Sequence, residues 1–185
     1  MKRSGNKRTK RLRPGVIPKI YGLGTTVLYF GEAYTIVPAQ AGSAVDTMRK
    51  TICLSVDWQS AEAVKQGVLK LLRAALTAKI HQRVMDYSTM YGVDYGTIRI
   101  KNIKSRWGSC SSLGNLNFNL QLSGAPDAIV DYIVVHEICH LIHLNHSEQF
   151  WKAVERAIPD WRVRRKWLRQ NGHLLNLDYQ FQQKK

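Results

Sequence analysis

Short stretches of period-two patterning open the chain. Thr26–Phe30 and Ala33–Val37 are β-rich runs on either side of Gly31-Glu32, which predicts a hairpin. Ala41–Ala44, a Gly/Ala/Ser stretch, reads as a loop. In Thr51–Val56 the apolar Ile52, Leu54 and Val56 alternate with Cys53 and Ser55, as in a half-buried strand. From Ser60 the spacing becomes helical, with Ala61, Val64, Val68, Leu71, Leu72, Ala75, Leu76, Ile80, Val84, Tyr87 and Tyr91 on one side. Ser60 is a good N-cap, and Gly92 closes the run. So long a helix is unusual in a small domain, which leaves two readings open: one continuous helix, or a break near Thr77–Lys79.

Alternation then returns. Thr97–Lys101 is a candidate strand, and Asn115–Leu122 is a clearer one. There Leu116, Phe118, Leu120 and Leu122 face one way and Asn115, Asn117, Asn119 and Gln121 the other. Pro126 suits the first turn of a helix and Asp127 its positive end, with Ile129, Ile133, Val134 and Leu141 as the apolar face. Asn145, His146 and Ser147 interrupt it, and a second helix runs to Ile158 before Pro159. Asp160 is placed to cap a third helix over Trp161–Gln170, stopped by Asn171-Gly172. Strands, a helix, strands and then helices make an α+β domain. It is expected over 20–175, with N-terminal strands at about 26–56 and a core at about 60–170. A basic arm over 1–19 and a tail over 176–185 flank it.

Composition narrows the class. With 44% hydrophobic residues in 185, the chain buries a core and is not wholly disordered. No apolar run approaches the roughly 18 residues of a membrane helix, and the amino end lacks a signal peptide's apolar stretch. Cys53, Cys110 and Cys139 are too scattered for a disulfide framework, so a cytoplasmic location is expected. The formal charge is +15, concentrated at the ends. Residues 1–19 carry eight basic residues and no acid, among them Lys7, Arg8, Lys10, Arg11 and Arg13. From Asp160 onward come Arg162, Arg164, Arg165, Lys166, Arg169, Lys184 and Lys185 against two Asp. Such segments suit nucleic acid; the alternative is a solvated tail and a solvated helix face.

The chemistry sits in His136-Glu137-Ile138-Cys139-His140-Leu141-Ile142-His143-Leu144-Asn145-His146, which holds four of the six histidines. At this chain's own His and Glu frequencies, a chance His-Glu-x-x-His is expected roughly 0.005 times. Residues i and i+4 share a helical face about 6 Å apart along the axis, so two imidazoles converge on one ion. Glu137, about 100° around the helix, can reach a water there without binding the metal. Three protein ligands would leave zinc a fourth position for that water, with Glu137 as general base and acid. The third ligand is a contest. His143 lies on the same helical face, but three ligands down one straight helix suit a tetrahedral ion poorly. His146 follows Asn145, which tolerates the left-handed turn that ends a helix, so the chain can reverse and bring His146 in. His146 is the stronger candidate. Glu148 is a weaker one, whose ordinary role is helix-terminus stabilisation. Cys139 reads as a small buried packing residue. Glu155 and Asp131 are candidates to orient the imidazoles, against the commoner fate of solvent exposure.

These residues, with Lys104-Ser105-Arg106-Trp107-Gly108-Ser109-Cys110-Ser111, the Asn115–Leu122 strand, Pro126, Asp131-Tyr132, Phe150-Trp151 and Arg165-Lys166-Trp167-Leu168, resemble the YgjP-like metallopeptidases, relatives of SprT-like and WLM-type zinc proteases. The resemblance covers roughly residues 50–170. It implies a minimal zincin-like fold, one zinc per chain at His136, His140 and His146, Glu137 as catalytic residue and a peptide or protein substrate. In such folds a strand before the metal helix pairs with an extended peptide, which makes Arg106, Asn117 and Asn119 candidate substrate-binding residues. Against this, Trp107 reads as core and the Asn face as merely wet. The competing class is a nucleic-acid-associated protein, with a structural zinc site or acting as a DNA–protein-crosslink protease. A structural site, however, needs no carboxylate beside its first ligand and usually takes four protein ligands.

Overall fold

The computed structural model describes residues 22–103 and 105–177. The basic arm, with Lys7, Arg8, Lys10, Arg11 and Arg13, lies outside the described residues, as does the tail beyond Leu177.

The first sheet holds β1 (Thr26–Tyr29), β2 (Glu32–Pro38), β3 (Ala44–Asp46) and β4 (Thr51–Leu54) in the order β1-β2-β4-β3. β1 and β2 form the expected hairpin, but its turn is Phe30-Gly31 rather than Gly31-Glu32. Both residues have positive φ (45° and 89°), the geometry that matches the twist of paired strands. The turn is docked: Phe30 N–H donates to Ser123 O (2.8 Å) and Gly31 N–H to Gly124 O (3.1 Å). β3, which the Gly/Ala/Ser reading leaves in a loop at its start, pairs antiparallel with β4.

Helix α1 (Ala61–Tyr91) is continuous for 31 residues. Ser60 Oγ accepts Ala63 N–H at its start, and Gly92 ends it at φ 64°. The helix runs through Thr77–Lys79 without a break; there Thr77 Oγ1 donates to Arg73 O (2.7 Å) and Lys79 pairs with Asp127. Val64, Val68, Leu72, Leu76, Ile80 and Val84 line its buried side. Against it pack β4, the second sheet and the helix that carries the histidines.

The second sheet holds β5 (Ile98–Lys101), β6 (Gly108–Cys110) and β7 (Leu116–Asn119) in the order β5-β7-β6. β7 stops at Asn119, the fifth residue of the alternating run. Asn119 Oδ1 accepts Gln121 N–H (3.1 Å), and Leu120–Gly124 winds into a 3-10 turn whose Leu120 and Leu122 are still buried. β6, within the Lys104–Ser111 run, is an edge strand antiparallel to β7.

Three helices complete the fold: α2 (Asp127–Ile142), α3 (Glu148–Ala157) and α4 (Trp161–Asn171). α2 is buried on nearly all sides, from Ile129 to Cys139, as expected for the helix at the centre of a domain. Asp160 does not cap α4 through its side chain; it pairs with Arg164 instead (2.9 Å). Gly172 is helical (φ −57°), not left-handed. Its value is space: a Cβ there would come 2.7 Å from the Trp107 indole. The buried apolar side chains of both sheets and all four helices form one cluster. None of the described helices is long and apolar enough to cross a membrane.

Candidate metal centre

His136 and His140 lie one turn apart on α2, with ring centroids 4.9 Å apart. The helix ends at Ile142, and His143 is already extended (φ −131°, ψ 109°). The chain therefore reverses earlier than the left-handed turn expected at Asn145, which does not have positive φ. Asn145 acts through its side chain instead, Oδ1 accepting Ser147 N–H (3.2 Å), and Ser147 Oγ then caps α3 by accepting Phe150 N–H (3.4 Å). This linker returns His146 to α2, its ring 5.0 Å from that of His136 and 4.8 Å from that of His140. His136, His140 and His146 each offer a ligand atom within 4.8 Å of the others. The His143 imidazole is not in this cluster.

The donor set suits a tetrahedral cation. His136 Nε2 and His146 Nε2 are 3.1 Å apart, close to the roughly 3.3 Å separating two nitrogens bound to one tetrahedral zinc. His140 Nδ1 is 3.1 Å from His143 O; a carbonyl can only accept, so Nδ1 carries the proton and Nε2 is left with its lone pair. Burial, reinforced by the neighbouring histidines and Arg165, pushes His136 down to about 3. Burial, with His140 and Arg165, also lowers His146. Both are neutral near pH 7, the state that binds metal. His136 Nδ1 is buried without a hydrogen-bond partner among the described residues, so no protein group fixes its tautomer; a cation on Nε2 would. Beneath the three rings lies Phe150, fully buried, 4.6–5.0 Å from each centroid. Trp151 stacks on His146 (5.5 Å, 24°) and on Trp161 (4.1 Å, 14°).

Glu137 lies against β6 at Gly108 and is 4% exposed. Desolvation pushes its carboxyl up to about 8, although Arg106 pulls the other way. At Gly108 the backbone of β6 passes against that carboxylate. A Cβ on Gly108 would fall 2.8 Å from Glu137 Cγ and Cδ, closer than real Cβ contacts allow. Sequence reasoning did not single out this glycine. The available signal was a Gly inside a short β-compatible run, which often marks a close approach.

The other expected residues divide. Arg106 is exposed and lies near enough to Glu137 to act on its charge. Asn117 Nδ2 donates to Ser109 Oγ (3.2 Å) across β7 and β6. Asn119 is 2% exposed and does not line a groove. Its Nδ2 donates to Ile103 O (2.6 Å) and Arg106 O (2.8 Å), clamping the turn that leads into Trp107 and Gly108. Glu155 and Asp131 do not touch the imidazoles. They pair with Arg162 (2.7 Å) and Arg83 (2.8 Å), because nearby guanidinium groups satisfy them better than a neutral ring would. Glu148 pairs with Lys152. Cys139 is fully buried, and burial raises its thiol to about 11; burial also raises Cys110, with Glu137 adding to it.

Against known proteins, the chain matches the family model described as "YgjP-like, metallopeptidase domain" over residues 5–171. No curated protein matches. Among solved structures it is similar to the metallopeptidase zymogen abylysin of Pyrococcus abyssi (22% identity, TM-score 0.45), over 51% of this chain and 94% of that one. It is also similar to the zymogen jannalysin of Methanocaldococcus jannaschii (20% identity, TM-score 0.44), over 51% and 96%.

Proposed function

The chain belongs to the YgjP-like metallopeptidase family and is a metal-dependent protease; from that premise we propose a zincin-like site in which His136, His140 and His146 hold one zinc ion and Glu137 moves the protons of peptide hydrolysis. The observation that carries this reading is the convergence of three imidazoles beside the buried carboxylate of Glu137. When bound, zinc supplies Lewis acidity that polarises the scissile carbonyl and makes a water nucleophilic near neutral pH. Glu137 takes the proton of the attacking water and later gives it to the leaving amine. Its carboxyl is desolvated against β6, which raises its affinity for the proton it takes. β6 is an edge strand beside Glu137, so its free backbone groups can pair with an extended peptide. Arg106, at the approach to β6, and Asn117, across from Ser109, are placed to meet that substrate. A purely structural zinc site is disfavoured by the donor set, which is three histidines and no cysteine.

The test is metal analysis coupled to peptide hydrolysis. The parent is expected to hold about one zinc, to lose activity in chelator and to regain it with added zinc. Glu137→Gln should keep the zinc and lose at least about 10²-fold in kcat. An active, zinc-loaded Glu137→Gln protein would sink the mechanism.

A further inference from the structure

The charges around this cleft are unbalanced in one direction. Of the six carboxylates on α2, α3, α4 and their caps, five are in ion pairs: Asp127 with Lys79, Asp131 with Arg83, Glu148 with Lys152, Glu155 with Arg162 and Asp160 with Arg164. The sixth is Glu137. Near the ligands the exposed cations without a carboxylate partner in ion-pair contact among the described residues are Arg106, Arg165, Lys166 and Arg169; Arg156 on α3 also lacks one, but its guanidinium lies over Tyr91 (6.0 Å) instead. The first four lie on two sides of the metal ligands. Arg106 precedes β6, on the Glu137 side. On the other side the Arg165 guanidinium lies 5.1 Å over the Trp151 ring, and that ring stacks on His146. From Arg165 the charge continues along α4. Residues 165, 166 and 169 fall within an arc of about 100° on one helical face, about 6 Å from end to end along the axis.

A face of this kind needs a reason. Lysines and arginines on a soluble helix commonly come with interleaved acids at i±3 or i±4, whereas α4 contains no acid at all. The helix dipole accounts for a cation in the last turn, Arg169, but not for Arg165 beside the ligands. Arginine at the rim of a cleft is suited to carboxylates, which its fork can bind in a bidentate manner.

Building on the peptidase reading above, we infer that this site selects acidic peptides, with substrate Asp or Glu side chains meeting Arg106 on the β6 side and the Arg165, Lys166 and Arg169 face on the α4 side. A peptide is favoured over a nucleic acid as the occupant because the cationic face begins one aromatic ring away from His146, beside the path of the reacting chain. Among the described residues, the aromatic rings next to Arg165 are not open to a base: Trp151 is covered by His146, Trp161 and Arg165, and Trp161 is buried.

The experiment profiles cleavage of a degenerate peptide library by the zinc-loaded full chain. It then compares kcat/KM for peptide pairs that differ only by Asp/Glu against Asn/Gln. We expect enrichment of acidic residues within about three positions of the scissile bond and an acidic-to-neutral ratio near tenfold that falls with salt. In the doubly reversed Arg165→Glu, Lys166→Glu protein the ratio should invert. Arg165→Lys keeps the charge but not the fork, so it should weaken the preference without inverting it, and circular dichroism and zinc content report folding. Cleavage without acidic preference, or a preference that the reversal leaves untouched, overturns this inference and leaves the peptidase reading standing. No cleavage of any peptide overturns both. If a single-stranded oligonucleotide binds, the reversal abolishes that binding and cleavage shows no acidic preference, the face serves nucleic acid and the inference fails.

Discussion

At Gly108 the backbone of an edge strand passes so close to Glu137 that a single methyl group reads out the carboxylate's position. Gly108→Ala is expected to fold and keep zinc, since it touches no imidazole, while pushing the carboxylate out of line. A misplacement of about 1 Å typically costs on the order of 10²-fold in rate, and kinetics beside metal analysis would separate that loss from lost binding. Glu137 also makes a claim on stability. Burial raises its folded-state pKa from 4.5 to about 8, so metal-free folding favours the protonated form. That contribution is full below about pH 4.5 and is lost as pH rises through about 8. Glu137→Gln cannot ionise. In chelator its melting temperature should pull ahead of the parent's between pH 5 and pH 9; a gap that stays constant with pH would show that the carboxyl is not desolvated in solution.

Among the elements, the linker between α2 and α3 decides the metal site. His143 and His146 are three residues apart, yet one serves through its backbone and the other through its ring. His143 O fixes the His140 tautomer, a role any residue at that position can fill, whereas His146 brings its Nε2 to the cluster. His146→Ala should therefore lose zinc to a mild chelator, and His143→Ala should stay near one equivalent when the two are purified in parallel. Zinc lost only from His143→Ala would show that the linker adopts another conformation once metal is bound.

For the whole molecule, shape and charge make separate demands. Both sheets close on α1 through one apolar cluster, and that common packing sets β6 against α2 and so Gly108 against Glu137. Charge is an added layer: eight of the 28 basic residues lie in residues 1–19, away from any sequence feature of the core. If these residues grip phosphate backbones, binding to DNA or RNA should weaken steeply with salt and show little sequence preference. Deleting residues 1–19 should flatten that salt dependence in a fluorescence-anisotropy titration. Unchanged binding after deletion would assign those charges to solubility.

Local patterning alone determined the helical and strand segments whose signals are self-contained: Ser60 and Gly92 bounding α1, the alternation of β4 and β7, and the His-Glu-x-x-His spacing that one helical turn converts into a shared face. It also favoured His146 over His143, because ligand geometry needs a reversal that a straight helix cannot give. The particulars of that reversal were not legible, since an Asn can take a left-handed φ or spend its side chain on a turn, and only the packing of Phe150 under the rings chooses. Other features belong to the tertiary structure because they depend on residues distant in sequence. Asn119 looked like the wet face of a strand until Ile103 and Arg106 supplied carbonyls for it to clamp. Asp131 and Glu155 looked available to the histidines until Arg83 and Arg162 came within reach. Gly108 carried only the weak mark of a glycine in a short β-compatible run. Its importance is a distance to a side chain 29 positions away, and only folding creates that distance.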